Sequence, residues 1–199
     1  MAAVFFVLAL LAAVCLVTAY QPQQHPLVLL GTLPGAAGWL FRAGLFIVPG
    51  LLVGISMLCL PRAVLLNRAG RLGQHLGLIA ALGFMLMGLL GVDLEGSLEV
   101  ALRGQAMAWL LWLAAAGAAM VAMLVGSLQR GRFAVAAISL LSIALIGLLS
   151  LGTVPGLAPP LAQALSWGVW MAWAAGLARL GAPAGQSMPD DVSKPLSGQ

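Results

Sequence analysis

Apolar runs long enough to cross a membrane occupy most of this sequence. A helix that spans the hydrocarbon core of a bilayer needs about 20 mostly apolar residues. Six segments of the chain come close to that requirement: residues 3–20, 38–60, 74–92, 104–127, 133–154 and 162–180. Charged residues make up only 7% of the chain, which leaves too little polar surface for a soluble domain. The sequence therefore predicts an all-α polytopic membrane protein with six transmembrane helices.

The two ends of the chain differ in composition. Residues 1–20 could pass for a signal peptide, but no basic residue precedes the apolar run, and the run is long for a signal core. We interpret this segment as a retained first transmembrane helix. The last residues are rich in Pro, Gly and Ser and lack apolar periodicity, which is typical of a flexible segment. The predicted organisation is a transmembrane bundle of residues 1–181 followed by a flexible cytoplasmic tail of residues 182–199.

Basic residues follow the second, fourth and sixth apolar runs. They are Arg62, Arg68, Arg71, Arg130, Arg132, Arg179 and Lys194. Loops rich in Arg and Lys stay on the cytoplasmic side of a membrane, and these regions share that side only if both termini are cytoplasmic. We therefore predict an N-in, C-in multi-pass protein of the inner (plasma) membrane of a bacterium. The scattered basic residues do not form the stripe that a nucleic-acid partner requires, so no such partner is predicted.

An acidic segment, residues 91–104, lies on the predicted outer face. It contains Asp93, Glu95 and Glu99, which are three of the five acidic residues in the chain. Glu99 and Arg103 have the favourable acid-first spacing for an ion pair along a helix. The segment is predicted to form a short amphipathic turn before the fourth helix, with its charges in the headgroup layer.

Arg42 lies about one turn inside the outer end of the second apolar run, as judged from helical geometry. Its side chain either snorkels to the headgroups or pairs with Asp93 or Glu95 and fixes an anionic group between the second and third helices. The candidate ligand-binding residues from the sequence are Arg42, Asp93, Glu95, Glu99, Gln105, Trp109 and Trp112.

Tryptophans cluster in the fourth and sixth apolar runs. They are Trp109, Trp112, Trp167, Trp170 and Trp173. An interfacial aromatic belt explains the position of Trp39, and the same explanation is applied to Trp109 and Trp167. Trp112 and Trp173 lie deeper, and they either pack against neighbouring helices or line a cleft for a lipid or a quinone.

Two turn sequences echo each other. GTLPG at residues 31–35 and GTVPG at residues 152–156 match at four of five positions. The predicted topology places both on the outer face, ahead of the second and sixth helices. They are either a re-used turn or a pair of loops that line one outer vestibule.

Small residues mark the predicted helix contacts. Gly50 and Gly54 form a GxxxG pair directly after Pro49, where we expect a kink. The third apolar run and residues 114–119 are also rich in Gly or Ala. Such surfaces pack closely in membranes. They predict contacts within the bundle, with a second copy of the chain or with another membrane protein, in addition to membrane lipids.

Metal and cofactor ligands are too dispersed to form a site. His25 and His75 are predicted on opposite faces of the membrane, so they cannot ligate one haem between them. Cys15 and Cys59 lie in separate runs, which is unlike a zinc site. The one lysine, Lys194, lies in the tail, away from any span that could hold retinal. We predict no metal and no cofactor.

The run HPLVLLGTLPGAAGWLFRAGLFIVPGLLVGISMLCL, followed by GLIAALGFMLMGLLGVDLEG and by Gly104, resembles the DUF998 family of six-helix membrane proteins. The resemblance implies a six-helix architecture without a settled activity. The chain departs from the family pattern at Arg42, where a polar Asn is expected, and at Gly104-Gln105, where His-Gly is frequent.

The sequence favours a non-enzymatic accessory or subunit protein, or a lipid-binding protein, because no catalytic motif is recognisable. The alternative is a small membrane enzyme or carrier with an outer-face site for an anionic substrate or lipid around Arg42 and Asp93.

Overall fold

All regular structure in the described part of the chain is helical. The structure is a computed structural model that describes residues 1–17, 20–21, 24–90, 98–151 and 154–180. The α-helices are α1 (Ala2–Leu16), α2 (Ala36–Arg42), α3 (Val48–Leu58), α4 (Arg68–Leu89), α5 (Leu98–Leu128), α6 (Phe133–Ser150) and α7 (Pro159–Leu180). A 3₁₀ helix, Leu27–Thr32, precedes α2, and a π-helical segment, Ala43–Ile47, joins α2 to α3. The all-α prediction is confirmed for these residues.

Four helical segments of the described chain are long and apolar enough to cross a membrane. They are Ala36–Leu58, Arg68–Leu89, Arg103–Leu128 and Phe133–Ser150. α1 is apolar but has only 15 residues. α7 has 22 residues and includes the polar side chains of Gln163, Ser166 and Arg179. The fold is that expected of an integral membrane protein, while the six spans and the N-in, C-in orientation stay predictions.

One asparagine side chain joins the start of α4 to the end of α5. α4 begins earlier than its apolar run because Asn67 caps it, with Oδ1 accepting a hydrogen bond of 2.8 Å from the Gly70 N–H. Nδ2 of Asn67 also donates to the Gly126 carbonyl oxygen at 2.7 Å and to Gln129 Oε1 at 3.2 Å. We call this side of the bundle the Asn67 end. The opposite side, where α5 and α7 begin, is the Gln105 end.

α4 and α5 approach each other closely because glycines line one face of α4. A methyl group built at Gly83 would lie 3.0 Å from the backbone nitrogen of Trp112 and 3.2 Å from its Cα. A methyl group at Gly73 would lie 3.2 Å from the Ala119 carbonyl oxygen. At these positions the two backbones pack with no side chain of α4 between them, as is typical of membrane helices.

The face of α4 towards α3 is equally close-packed. A methyl group at Gly77 would lie 2.8 Å from Met57 Sδ, and one at Gly50 of α3 would lie 3.2 Å from the Ala81 carbonyl oxygen. Gly54 faces the same alanine, with 3.7 Å between the built methyl group and Ala81 Cβ. The GxxxG pair therefore packs inside the bundle, and α4 lies between α3 and α5.

A buried hydrogen-bond chain joins α6 to α7. The indole Nε1 of Trp173 donates to Ser139 Oγ at 3.1 Å, and this hydroxyl donates to the Val135 carbonyl oxygen at 2.9 Å. Trp173 is 1% exposed. Of the two roles proposed for Trp173, the structure supports packing between helices.

Substituting Gly83→Ala is expected to destabilise the fold by about 1–3 kcal/mol, because the added methyl group overpacks the contact with the Trp112 backbone. Gly117→Ala on α5 is the matched control, since a methyl group there meets nothing within 4 Å. The control should change stability by no more than about 1 kcal/mol, in the stabilising direction, because alanine favours helix formation. Reversible unfolding by SDS in mixed micelles measures the free energy of unfolding of both variants. Equal stability of the two variants would contradict close backbone packing.

Single cysteines test the predicted orientation. In a Cys15→Ser, Cys59→Ser background, Glu99→Cys should react with a membrane-impermeant maleimide added outside intact cells, because the cytoplasmic position of the basic loops predicts that residues 93–99 lie outside. Arg130→Cys should react only after the membrane is permeabilised, because Arg130 belongs to a basic loop. The opposite pattern of labelling would reverse the predicted topology.

Candidate functional site

Five aromatic rings from α4, α5, α7 and the π-helical segment meet in the core. The centroid of the Phe84 ring lies 5.3 Å from that of Trp170, 5.5 Å from that of Trp167 and 6.4 Å from that of Trp112. Phe46 lies 5.4 Å from Phe84 and 5.3 Å from Trp167. The Trp112 and Trp170 rings are nearly perpendicular, at 88°, an arrangement that aromatic pairs prefer. We call these five residues the aromatic cluster.

The π-helical segment directs Phe46 into the aromatic cluster. Within it, the N–H of Val48 donates to the carbonyl oxygen of Ala43, five residues earlier. Pro49 follows directly, and because proline has no N–H it leaves the Leu45 carbonyl without its α-helical donor. A widened turn thus precedes Pro49, where a kink was predicted, and such turns are frequent at functional sites. Both Leu45 and Phe46 of this turn are buried.

Two cavities lie beside the aromatic cluster at the Gln105 end. The smaller has a volume of about 200 Å³ and is lined by Val28, Phe46, Gln105, Ala106, Trp109, Gln163 and Trp167. The larger, of about 350 Å³, is lined in part by Pro26 of the loop before α2 and by Val154 of the loop before α7. Both cavities include Trp109 and Gln163 among their walls. We call them the paired cavities.

Val154 belongs to the GTVPG turn, whereas Pro26 lies just ahead of the GTLPG turn. No residue of GTLPG is among the described residues that line either cavity, so the interpretation of the two turns as one vestibule stays a prediction. Gly152 and Thr153 of GTVPG lie outside the described residues, so the equivalence of the two turns stays a prediction.

The smaller cavity is built from a repeated sequence on two helices. QAMAWLLW, residues 105–112 of α5, and QALSWGVW, residues 163–170 of α7, have Gln, Ala, Trp and Trp at the same positions. Helical geometry places the Gln and both Trp residues of each copy on one face. The Gln and the first Trp of each copy line the cavity. The second Trp residues, Trp112 and Trp170, contact each other at 5.9 Å within the aromatic cluster.

We call this sequence the QAxxWxxW repeat. The sequence-based candidates included its first copy, Gln105, Trp109 and Trp112, but not the second copy. The signal that could have found Gln163 and Trp167 is the repeat itself. The interpretation of Trp167 as part of an interfacial belt is wrong, because its side chain is 2% exposed and lies in the core. Trp39 is 58% exposed, as a belt residue should be.

The polar groups that line the smaller cavity are uncharged. Gln105 Nε2 donates to the Met87 carbonyl oxygen at 2.8 Å, which ties α5 to the end of α4 and leaves Oε1 and the second N–H for a ligand. The side-chain amide of Gln163 makes no hydrogen bond to a described residue, although its backbone carbonyl accepts one from Ser166 Oγ at 2.7 Å. No ionisable side chain is among the described residues that line either cavity.

All four tryptophans of the QAxxWxxW repeat have a buried indole N–H without an acceptor in the described part of the chain. They are Trp109, Trp112, Trp167 and Trp170. A buried donor without a partner costs about 1–3 kcal/mol. Unused hydrogen-bonding capacity is therefore concentrated around the paired cavities.

Arg42 binds the loop that precedes its own helix. Its Nε donates to the Gly31 carbonyl oxygen at 2.9 Å, and a methyl group built at Gly31 would lie 2.8 Å from Arg42 Cγ. The contact holds the 3₁₀ helix that carries Val28 to the smaller cavity. Arg42 thus acts on the site through this backbone contact, which the sequence did not indicate.

Glu99, the acidic candidate among the described residues, does not line either of the paired cavities. Glu99 forms an ion pair of 3.0 Å with Arg103 on the exposed first turns of α5, as the spacing predicted, and a pair so exposed contributes little to stability. Asp93 and Glu95 lie outside the described residues, so their pairing with Arg42 stays a prediction. Trp112 lies in the aromatic cluster rather than among the described cavity-lining residues.

Comparison with known proteins adds no functional assignment. No protein-family model matches the chain, and neither a curated protein nor a solved structure matches it. The resemblance to DUF998 stays a prediction, and the function is inferred from the residues of the site.

The two glutamines are expected to differ in their contributions to stability. Gln105→Ala should lower the free energy of unfolding by about 1 kcal/mol or more, because the Met87 carbonyl loses its donor. Gln163→Ala should change it by less than about 0.5 kcal/mol, because no contact of that kind is lost. Reversible unfolding of delipidated protein in mixed micelles measures both values. A larger loss for Gln163→Ala than for Gln105→Ala would contradict the hydrogen bonding described here.

Proposed function

We propose that this integral membrane protein is a non-enzymatic lipid-binding protein that holds the uncharged polar part of a membrane lipid in the paired cavities. The observation that carries the proposal is the uncharged but polar lining of the smaller cavity. Two glutamines and two tryptophans there retain hydrogen-bonding capacity within apolar walls. Binding sites for small molecules typically combine mostly apolar walls with a few polar groups that set orientation.

The charge of the cavity supports an uncharged ligand. Moving an ionised group out of water is costly unless it is paired, and the described lining residues offer no ionised partner. A lipid ester, amide or alcohol avoids that cost, and its hydrocarbon part suits walls such as Val28, Phe46 and Trp167. A phosphate or carboxylate within the cavity would carry that cost without a paired charge to offset it.

The chemistry of the lining supports binding rather than catalysis. General acid–base catalysis depends on a side chain that titrates near the working pH, and glutamine and tryptophan side chains do not titrate there. The role proposed is that of an accessory protein or subunit of the bacterial inner membrane that carries or presents a lipid, either alone or with another membrane protein. A place among the DUF998 proteins is part of the same proposal.

The alternative function, an enzyme or carrier for an anionic substrate, requires a site outside the paired cavities. Arg42 favours such a site, because only its Nε is bonded to a described residue. The guanidinium has further donors, which suit a phosphate or carboxylate. That site would include Asp93, which lies outside the described residues.

Native mass spectrometry of the detergent-purified chain is expected to retain one lipid per protein. Gln163→Leu should reduce the retained fraction severalfold, because the cavity loses its unpaired amide. Trp39→Phe is the control, since Trp39 is exposed to the surroundings of the bundle, and should retain lipid like the wild type. Equal retention by wild type and Gln163→Leu, or no retention by either, would overturn the proposal. Loss of lipid in Arg42→Gln alone would support the alternative site.

A further inference from the structure

The QAxxWxxW repeat places two glutamine side chains from different helices at one small cavity. Gln105 of α5 and Gln163 of α7 both line the cavity of about 200 Å³. Each glutamine is followed four residues later by a tryptophan that also lines it. A polar group in this cavity is therefore approached by an amide and an aromatic ring from each of two sides.

The two amides differ in what they offer to a ligand. Gln105 Nε2 uses one of its two N–H groups on the Met87 carbonyl oxygen, so Oε1 is its one acceptor for a ligand and a single N–H remains. Gln163 has no side-chain partner among the described residues and can donate through Nε2. A ligand group that donates to Gln105 Oε1 and accepts from Gln163 Nε2 would bond to both side chains at once.

We propose that the cavity binds the hydroxyl group of an uncharged lipid alcohol, such as the glycerol hydroxyl of a diacylglycerol. This inference rests on the proposed function and specifies its ligand class. A hydroxyl both donates and accepts hydrogen bonds, so it satisfies Gln105 Oε1 and Gln163 Nε2 together. A quinone carbonyl or a fully esterified glyceride only accepts, and it leaves Gln105 Oε1 without a donor.

The aromatic and aliphatic walls suit the remainder of such a lipid. Phe46, Trp109 and Trp167 surround the polar pair, so the carbon atoms next to the hydroxyl contact apolar surface. The first tryptophan of each copy also has an unpaired indole N–H.

A matched pair of ligands tests the proposal on the full chain. The protein is reconstituted in phosphatidylcholine nanodiscs and titrated with a diacylglycerol that carries bromine on its acyl chains, which quenches nearby tryptophan fluorescence. The second probe is the same molecule with its hydroxyl converted to a methyl ether. Diacylglycerol should quench saturably, and the ether should bind about tenfold more weakly because it cannot donate to Gln105 Oε1.

Variants of the lining residues test which side chain accounts for the preference for the alcohol over the ether. Gln105→Met keeps the length of the side chain but removes the acceptor, so it should weaken diacylglycerol binding and abolish the preference over the ether. Gln163→Leu, which loses no described side-chain hydrogen bond and should fold normally, is expected to weaken binding of both probes. Trp39→Phe should bind both like the wild type.

The outcomes separate this inference from the proposed function. Equal affinity for the alcohol and the ether, or a preference that persists in Gln105→Met, overturns the hydroxyl assignment and leaves lipid binding in the cavity intact. Binding of neither probe by protein that still retains a lipid in native mass spectrometry also overturns the hydroxyl assignment alone. Binding of neither probe and no retained lipid overturns both.

Discussion

Close contact of α4 with the helices on both its sides is the constraint on which the remaining structure depends. Within a bilayer the surrounding lipid is as apolar as the side chains, so helices associate through packing and hydrogen bonds. Gly83 lets the backbone of α5 lie against α4, and Gly77 lets the side chain of Met57 on α3 lie against α4. This approach also allows Gln105 to reach the Met87 carbonyl. The geometry of the site thus depends on glycines, because the absence of a side chain at these positions lets the helices approach closely.

Another wall of the smaller cavity depends on the backbone of the second span near Pro49. Pro49 follows the π-helical turn that carries Phe46, and Phe46 joins the aromatic cluster and lines the smaller cavity. Arg42, directly before that turn, fixes the preceding loop through the Gly31 carbonyl. Residues 42–49 therefore position both the Phe46 ring in the core and the loop that precedes α2.

The charged and uncharged polar residues have separate places. The described arginine and glutamate side chains that are exposed lie near helix ends, as Glu99 and Arg103 do on the first turns of α5. The polar groups beside the aromatic cluster are amides and indoles. Burying an amide costs far less than burying an ion, so a cavity of this kind is compatible with a protein that keeps its charges near water. The ligand proposed for the cavity carries no charge for the same reason.

Much of the fold was predictable from the sequence, but only part of the site was. The apolar runs predicted helices. Gln105 and Trp109, two of the sequence-based candidates, line the smaller cavity, whereas Gln163, which lines it as well, was missed although the repeated QAxxWxxW sequence was available. Trp167 was assigned to the interface and is instead buried. A belt residue and a core residue have the same sequence signature near a helix end, and the rotation of the helix about its axis decides between them.

Sequence alone determined that the chain is helical. Hydrocarbon offers no partners to backbone N–H and C=O groups, so an apolar run of sufficient length must satisfy them within its own helix. Only the tertiary structure decided which faces of these helices meet. The rotation of α5 and α7 is set by contacts between residues far apart in sequence, such as Gly83 with Trp112 and Trp112 with Trp170. A local pattern does not specify such contacts, because their stability depends on the shapes of both helices together.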